Sequence, residues 1–135
     1  MTVEKMNIPT LPEPQGFTHV AIASGSRLVF LAGQVAQDGE GALVGPGDLA
    51  AQMEQAMLNV AAGLDAAGAT FDDVAKTTLY VVDWDESKMQ PLVEGFGRAA
   101  ARIGAASLVP TTLVPVPRLF EEGYLVEVEV TAVLP

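Results

Sequence analysis

Few residues in this chain could do chemistry. Glu127 and Glu129 stand two apart in an otherwise apolar run from Val126 to Val130, so a strand would place both on one face. Two readings stay open: a solvated outer face, or a carboxylate held in a pocket to orient water or accept a proton. Thr111 and Thr112 lie between Pro110 and Pro115. Their hydroxyls are either plain edge-strand groups or donors to a ligand carboxylate. Arg118 is the only basic residue near the C-terminal strands and reads as a surface ion pair or an anion contact. His19 is the only histidine and there is no cysteine. That leaves no thiolate nucleophile, no disulfide and no His/Cys cluster for zinc. A lone strand histidine is structural more often than it lines a pocket. Asp38/Glu40 and Asp83/Asp85/Glu86 lack calcium-loop spacing and read as solvated turn acids. The glycines of Gly25 and of Gly45-Pro46-Gly47 do not form a phosphate-cradling fingerprint and read as turn residues.

Composition narrows the function further. The 135 residues fit one domain, 1–135, with half of them apolar and only 18% charged. A small domain with so little charge exposes apolar surface that needs a partner, and self-association is the simplest. Seventeen acidic residues against seven basic give a formal charge of −10. A binder of nucleic acid or anionic membrane needs clustered Lys and Arg, which this chain lacks. Residues 1–14 carry no apolar signal core, and no apolar run approaches the roughly 20 residues of a membrane helix. A cytoplasmic protein is expected.

The elements that must position these residues follow from periodicity. Residues 1–16, with Pro9, Pro12 and Pro14, predict an extended lead-in. Phe17–Ala23 and Arg27–Ala32 predict two strands joined as a hairpin at Ser24-Gly25-Ser26. Asp38–Gly41 is a turn between short extended pieces. Asp48 is a suitable N-cap for a helix over Leu49–Ala67, with an apolar stripe of Leu49, Met53, Met57, Val60 and Leu64. Gln52, Gln55, Asn59 and Asp65 fall mostly off that stripe, and Gly68 stops the helix. Lys76–Asp83 is β-branched and aromatic, hence a strand. A second helix spans Glu86–Ile103, with Pro91 in its first turn and Gly104 at its end. Gly95 and Gly97 weaken it by about 1 kcal/mol each relative to Ala, and glycines there permit close packing. Ser107–Val116 is extended; its prolines demand an edge or a bulge. Tyr124–Leu134 alternates, with Val126, Val128 and Val130 on one face and Leu125, Glu127, Glu129 and Thr131 on the other. Two helices among about six strands of a mixed sheet predict a two-layer α+β domain with one sheet face uncovered.

Several stretches together resemble the RidA/YjgF family over nearly the whole chain. They are Gly16-Phe17-Thr18-His19, Leu28–Gln34 ending in Ala-Gly-Gln, Gln52–Gly68, Asp73–Asp83 (DVAKTTLYVVD) and Val126–Ala132 (VEVEVTA). The resemblance implies a chorismate-mutase-like fold, a homotrimer whose sheets form a central barrel, and small-molecule clefts between subunits. It implies hydrolysis of enamines and imines such as 2-aminoacrylate without a cofactor or a metal. Family members bind the substrate carboxylate through an arginine in a Pro-Ala-Arg segment and position water with a glutamate. Glu127 matches that glutamate. Thr111 falls in the arginine's place, or Thr112 if the register moves by one. Phe17 stands for a pocket tyrosine and Gln90 for a helix asparagine, while His19, the backbone at Gly33 and Leu113 would line the cleft. Losing a buried charged hydrogen bond costs a few kcal/mol, or roughly two to three orders of magnitude in binding. Efficient 2-aminoacrylate deamination is therefore not expected, and a less anionic ligand is. Two functions stay open: an imine or enamine hydrolase on another metabolite, or a non-catalytic trimer that binds a metabolite or partner.

Overall fold

The computed structural model describes residues 2–104 and 107–135. Its elements are β1 (Val3–Met6), β2 (Val20–Ala23), β3 (Arg27–Gln34), α1 (Leu49–Ala66), β4 (Val74–Val82), α2 (Met89–Ile103), β5 (Thr111–Val116) and β6 (Val126–Leu134). Single 3-10 turns at Phe71–Asp73 and Glu86–Lys88 lead into β4 and α2. Among the described residues the architecture is α+β with two helices and six strands, as the periodicities predict. The six strands divide into a four-stranded sheet in the order β3-β6-β4-β5 and a separate β1-β2 pair. In the larger sheet β6 runs antiparallel to both its neighbours, while β4 and β5 run parallel and are joined through α2.

The expected hairpin of β2 with β3 does not form. Instead β2 pairs with β1, Val20 opposite Met6 and Ala23 opposite Val3. The turn between β2 and β3 is pulled two ways: Ser24 N donates to Thr2 O (2.8 Å) and Ser26 N to Leu134 O (3.0 Å). The chain thus passes from one sheet to the other where a hairpin would reverse it. The lead-in, expected to be merely extended, supplies the partner strand β1.

Asp48 caps α1 as expected, its Oδ1 accepting from Ala51 N at 3.0 Å. The stripe from Leu49 to Leu64 is buried against Val126, Val128 and Val130 of β6. Gln52, read from sequence as mostly off the stripe, is fully buried. Its Nε2 donates to Gly45 O (3.1 Å) and Gly123 O (2.9 Å), and its Oε1 accepts from Leu125 N (2.8 Å). One side chain thereby satisfies three backbone groups that irregular loops cannot pair themselves. Asn59 does similar work, its Nδ2 donating to Val35 O and Gln37 O, both at 2.9 Å. β5 is the edge strand that Pro115 requires.

The helices cover one face of the four-stranded sheet. The other face is open: Phe30 and Leu28 are 71% and 63% exposed, and Glu127, Glu129, Tyr80 and Thr112 share it through their strand registers.

The two α2 glycines separate in role. A Cβ on Gly95 would stand 2.4 Å from Ala50 O and 2.7 Å from Met53 Cβ, so α1 and α2 touch there almost backbone to backbone. A Cβ on Gly97 would meet nothing within 4 Å. Gly97→Ala is expected to stabilise by about 1 kcal/mol through helix propensity. Gly95→Ala gains the same propensity but must push the helices apart, a clash that costs typically 1–3 kcal/mol or more, so it should be neutral at best and destabilising on balance. Urea denaturation of the pair checks this; equal shifts of the same sign would remove the close-packing role.

Candidate functional site

The sheet's alternation sends the candidate residues to two faces. On the helix side, Thr77 and Leu79 of β4 and Thr111 and Leu113 of β5 point the same way because those strands are in register, Thr77 beside Thr111 and Leu79 beside Leu113. α1 lies over β6 and β3 while α2 packs chiefly on α1, and the edge strand β5 is left less covered. A cavity of about 280 Å³ opens there, floored by these four residues and walled by Met53 and Met57 of α1 and Leu92 and Phe96 of α2. Phe17 and the segment Ser107–Val109 form its rim. Thr111 Oγ1 donates to Val109 O at 3.0 Å, which leaves its lone pairs for an incoming donor.

On the open side stands Glu127. A Cβ on Gly33 would lie 2.6 Å from Glu127 Cδ, so the missing side chain lets this carboxylate lie directly against the β3 backbone. The β3–β6 register also shifts between Leu31 and Gln34, a bulge of the kind that re-aims side chains near functional sites. Burial pushes the Glu127 carboxyl above the usual carboxylate range, and the neighbouring Glu129 pushes the same way. Tyr80 Oη donates to Glu129 Oε1 at 3.2 Å, and desolvation with the nearby carboxylates raises the phenol.

Among the sequence-predicted residues, then, Phe17, Thr111 and Leu113 meet at the cavity, and Gly33 and Glu127 meet on the opposite face of the sheet. One chain does not bring the two groups together. Thr112 faces away from Thr111, and Lys76 Nζ donates to its hydroxyl at 2.5 Å. Gln90 is exposed in the first turn of α2, beside Met89 at the cavity mouth. His19 takes the structural role: its Nδ1 accepts from Ile8 N (3.0 Å), its backbone N–H donates to Asn7 Oδ1 (3.2 Å), and its ring meets Phe17 edge-on at 5.8 Å. It thus holds the lead-in and, through Phe17, the cavity rim.

Arg98, Arg102 and Arg118, the arginines nearest in sequence to the cavity-lining segments, do not line the cavity. Arg98 pairs with Glu94 (2.7 Å) and Arg102 with Glu54 (3.1 Å) on the outer helix surface, while Arg118 Nε donates to Leu119 O at 3.1 Å. The turn acids are structural as well. Asp38 accepts from Glu40 N and Ala42 N, both at 2.9 Å, and Asp85 caps the 3-10 turn at Ser87, which lowers its carboxyl. Among the described residues no group of His, Asp and Glu could hold a metal ion, and no helix is long and apolar enough to cross a membrane. The walls of the cavity were missed because Met53, Met57, Leu92 and Phe96 sit on helix stripes that read as ordinary core.

The raised Glu127 carboxyl has a measurable consequence. The folded chain holds that proton to higher pH than the unfolded chain does, so its ionisation opposes folding. The cost is absent below the ordinary value near 4.5, grows as pH rises through the raised value, and then stays constant. Glu127→Gln removes it. The stability of the variant relative to wild type should therefore be greater at pH 7 than at pH 4, as read from urea midpoints. An unchanged difference would show that the carboxylate is effectively solvated.

The chain is thus a two-layer α+β domain with one open sheet face and its candidate residues split between two surfaces. A family model described as Endoribonuclease L-PSP matches residues 11–134, and the chain belongs to that family, also called RidA/YjgF. It is 31% identical over 136 residues to a RutC family protein of Synechocystis, covering 100% of this chain and 99% of that one. It is similar to the crystal structure of a Rid family protein of unknown function from Yersinia pestis, with TM-score 0.85 and 32% identity over 99% of this chain and 100% of that one. The fold is also that of Escherichia coli TdcF, solved with bound serine, at TM-score 0.67, 24% identity and coverage of 100% and 99%.

Proposed function

We propose that the chain forms a homotrimer, open sheet faces inward, and hydrolyses an imine or enamine of a small metabolite at clefts between subunits. The observation that carries this reading is Glu127: a partly buried carboxylate of raised proton affinity, held against Gly33 on a face that also exposes Phe30 and Leu28. Covering that face by neighbouring copies would bring Glu127 of one subunit to the Phe17–Thr111–Leu113 cavity of the next. There the ionised carboxylate takes a proton from water as the water oxygen attacks the C=N carbon. The proton passes to nitrogen, the carbinolamine collapses, and ammonia or amine leaves behind a carbonyl. Water is the only co-reactant, so no cofactor or metal enters, and a cytoplasmic location goes with this chemistry.

The uncharged cavity favours one further reading, a trimer that binds a metabolite without converting it. RNA cleavage, which the name of the family model carries, suits this chain poorly. Three chains of −10 each would repel phosphate backbones, and contact with an anionic membrane is disfavoured for the same reason.

The test joins two measurements. Sedimentation should give three times the 14.1 kDa chain mass. Imines generated in situ by amine or amino-acid oxidases and trapped with semicarbazide should yield less semicarbazone when the protein is present. A stable monomer would sink the shared site, and undiminished trapping across substrates of varied side chain would sink the hydrolase.

A further inference from the structure

The cavity on the helix side has a chemistry of its own. Its wall is thioether, aromatic and branched aliphatic, and among the described residues no charged side chain lines it. The polar side chains that do are those of Gln15, Thr77, Ser107 and Thr111. Thr111 is half-buried and its hydroxyl proton is already engaged by Val109 O. At about 280 Å³ the space sits at the lower edge of ligand-pocket sizes, near 300 Å³, and suits a molecule of one or two rings. It is not a void that the helices can close by sliding together. At Gly95 they are already in contact with Ala50 and Met53, so that crossing point acts as a fixed spacer with Leu92 and Phe96 to either side.

We infer that this cavity binds a small, neutral, mainly aromatic or branched-aliphatic molecule whose one hydrogen-bond donor meets Thr111. A carboxylate there would lose its water and find no cation, a penalty that excludes anions. Methionine walls suit such an occupant because the flexible thioether adapts to ring edges. The inference rests on the functional reading only for the location of the site at Phe17, Thr111 and Leu113; it needs nothing of Glu127.

Displacement of the neutral dye N-phenyl-1-naphthylamine, measured without turnover, tests it on the full chain. 2-Phenylethanol should displace the dye at concentrations at least about 100-fold lower than phenylacetate, which has a matching ring and chain length but carries a charge. Thr111→Arg should shrink or reverse that preference. Val93 is 62% exposed and lines the mouth, so Val93→Trp should weaken dye binding at least tenfold while leaving sedimentation and far-UV circular dichroism unchanged. Equal displacement by alcohol and carboxylate overturns the proposal. So does dye binding that survives Val93→Trp, which would locate the dye on the Phe30 and Leu28 face. A change of sedimentation with Val93→Trp also overturns it, because the α2 side of the cavity, opposite the Phe17–Thr111 rim assigned to a neighbouring subunit, would then be an interface and not the entrance for a ligand. Hydrolysis lost while neutral binding persists would sink only the catalytic reading; hydrolysis retained without neutral binding would sink only this one.

Discussion

Glu127→Gln is expected to lower kcat/KM for imine hydrolysis by about 100-fold or more, the usual worth of a positioned proton acceptor. The substitution keeps the shape that packs on Gly33 and keeps one hydrogen-bond acceptor, but it removes the ability to take a proton from water. Stability at neutral pH should not fall, since a carboxylate that burial disfavours is replaced by a neutral amide. The wild-type rate should decline on the acid side with a midpoint above the ordinary glutamate value, because the base must be ionised to work and its proton is held more tightly than usual. Glu129→Gln serves as the comparison: Glu129 is exposed and bonded to Tyr80, so its loss should cost far less. Steady-state kinetics of the three proteins decide. A Glu127→Gln enzyme within about threefold of wild type would remove the carboxylate from the mechanism and leave the binding reading.

The second large effect concerns the fold itself. Gln52→Met should destabilise by about 2–4 kcal/mol, measured by urea denaturation. Methionine matches the length of glutamine and recovers some hydrophobic energy in a fully buried position. Against that stand three backbone groups, Gly45 O, Gly123 O and Leu125 N, stripped of their partner. Each costs roughly 1–3 kcal/mol where water cannot replace the bond, and the exposure of Gly123 moderates its share. The polar loss therefore outweighs the apolar gain. A change below about 1 kcal/mol would mean that water reaches all three groups.

Features that depend on neighbours in sequence were legible before the structure. The alternation from Val126 to Thr131 gave both the β6 strand and the face of Glu127. The spacing from Leu49 to Leu64 gave α1 and its buried side, and Pro115 marked β5 as an edge. What failed depends on distant partners. Ser24-Gly25-Ser26 looks like a hairpin turn locally, yet its two amides are claimed by Thr2 and Leu134 from the ends of the chain. Gln52 looked peripheral because its partners lie at Gly45, Gly123 and Leu125, two of them on the far side of β5 in sequence. Of the site, the Thr111 position and Glu127 could be singled out, but not their separation onto opposite faces. An apolar wall cannot be told from core by periodicity, because both demand the same residues.

The strand order β3-β6-β4-β5 also governs when this protein can come into being. β6, made after both of them, sits between β3 and β4 and is bonded to both along most of its length. During synthesis β3 and β4 emerge with no neighbour to join them, since Arg27 awaits Leu134 and Lys76 awaits Thr131. α1 can coil, and β4, α2 and β5 can gather as a local unit, but the apolar stripe of α1 has no central strand to rest on until β6 has left the ribosome. Birth is therefore all or nothing: a nascent chain truncated before Val126 lacks its central strand, and its unpaired strand edges and uncovered methionines are the surfaces that chaperones and proteases recognise.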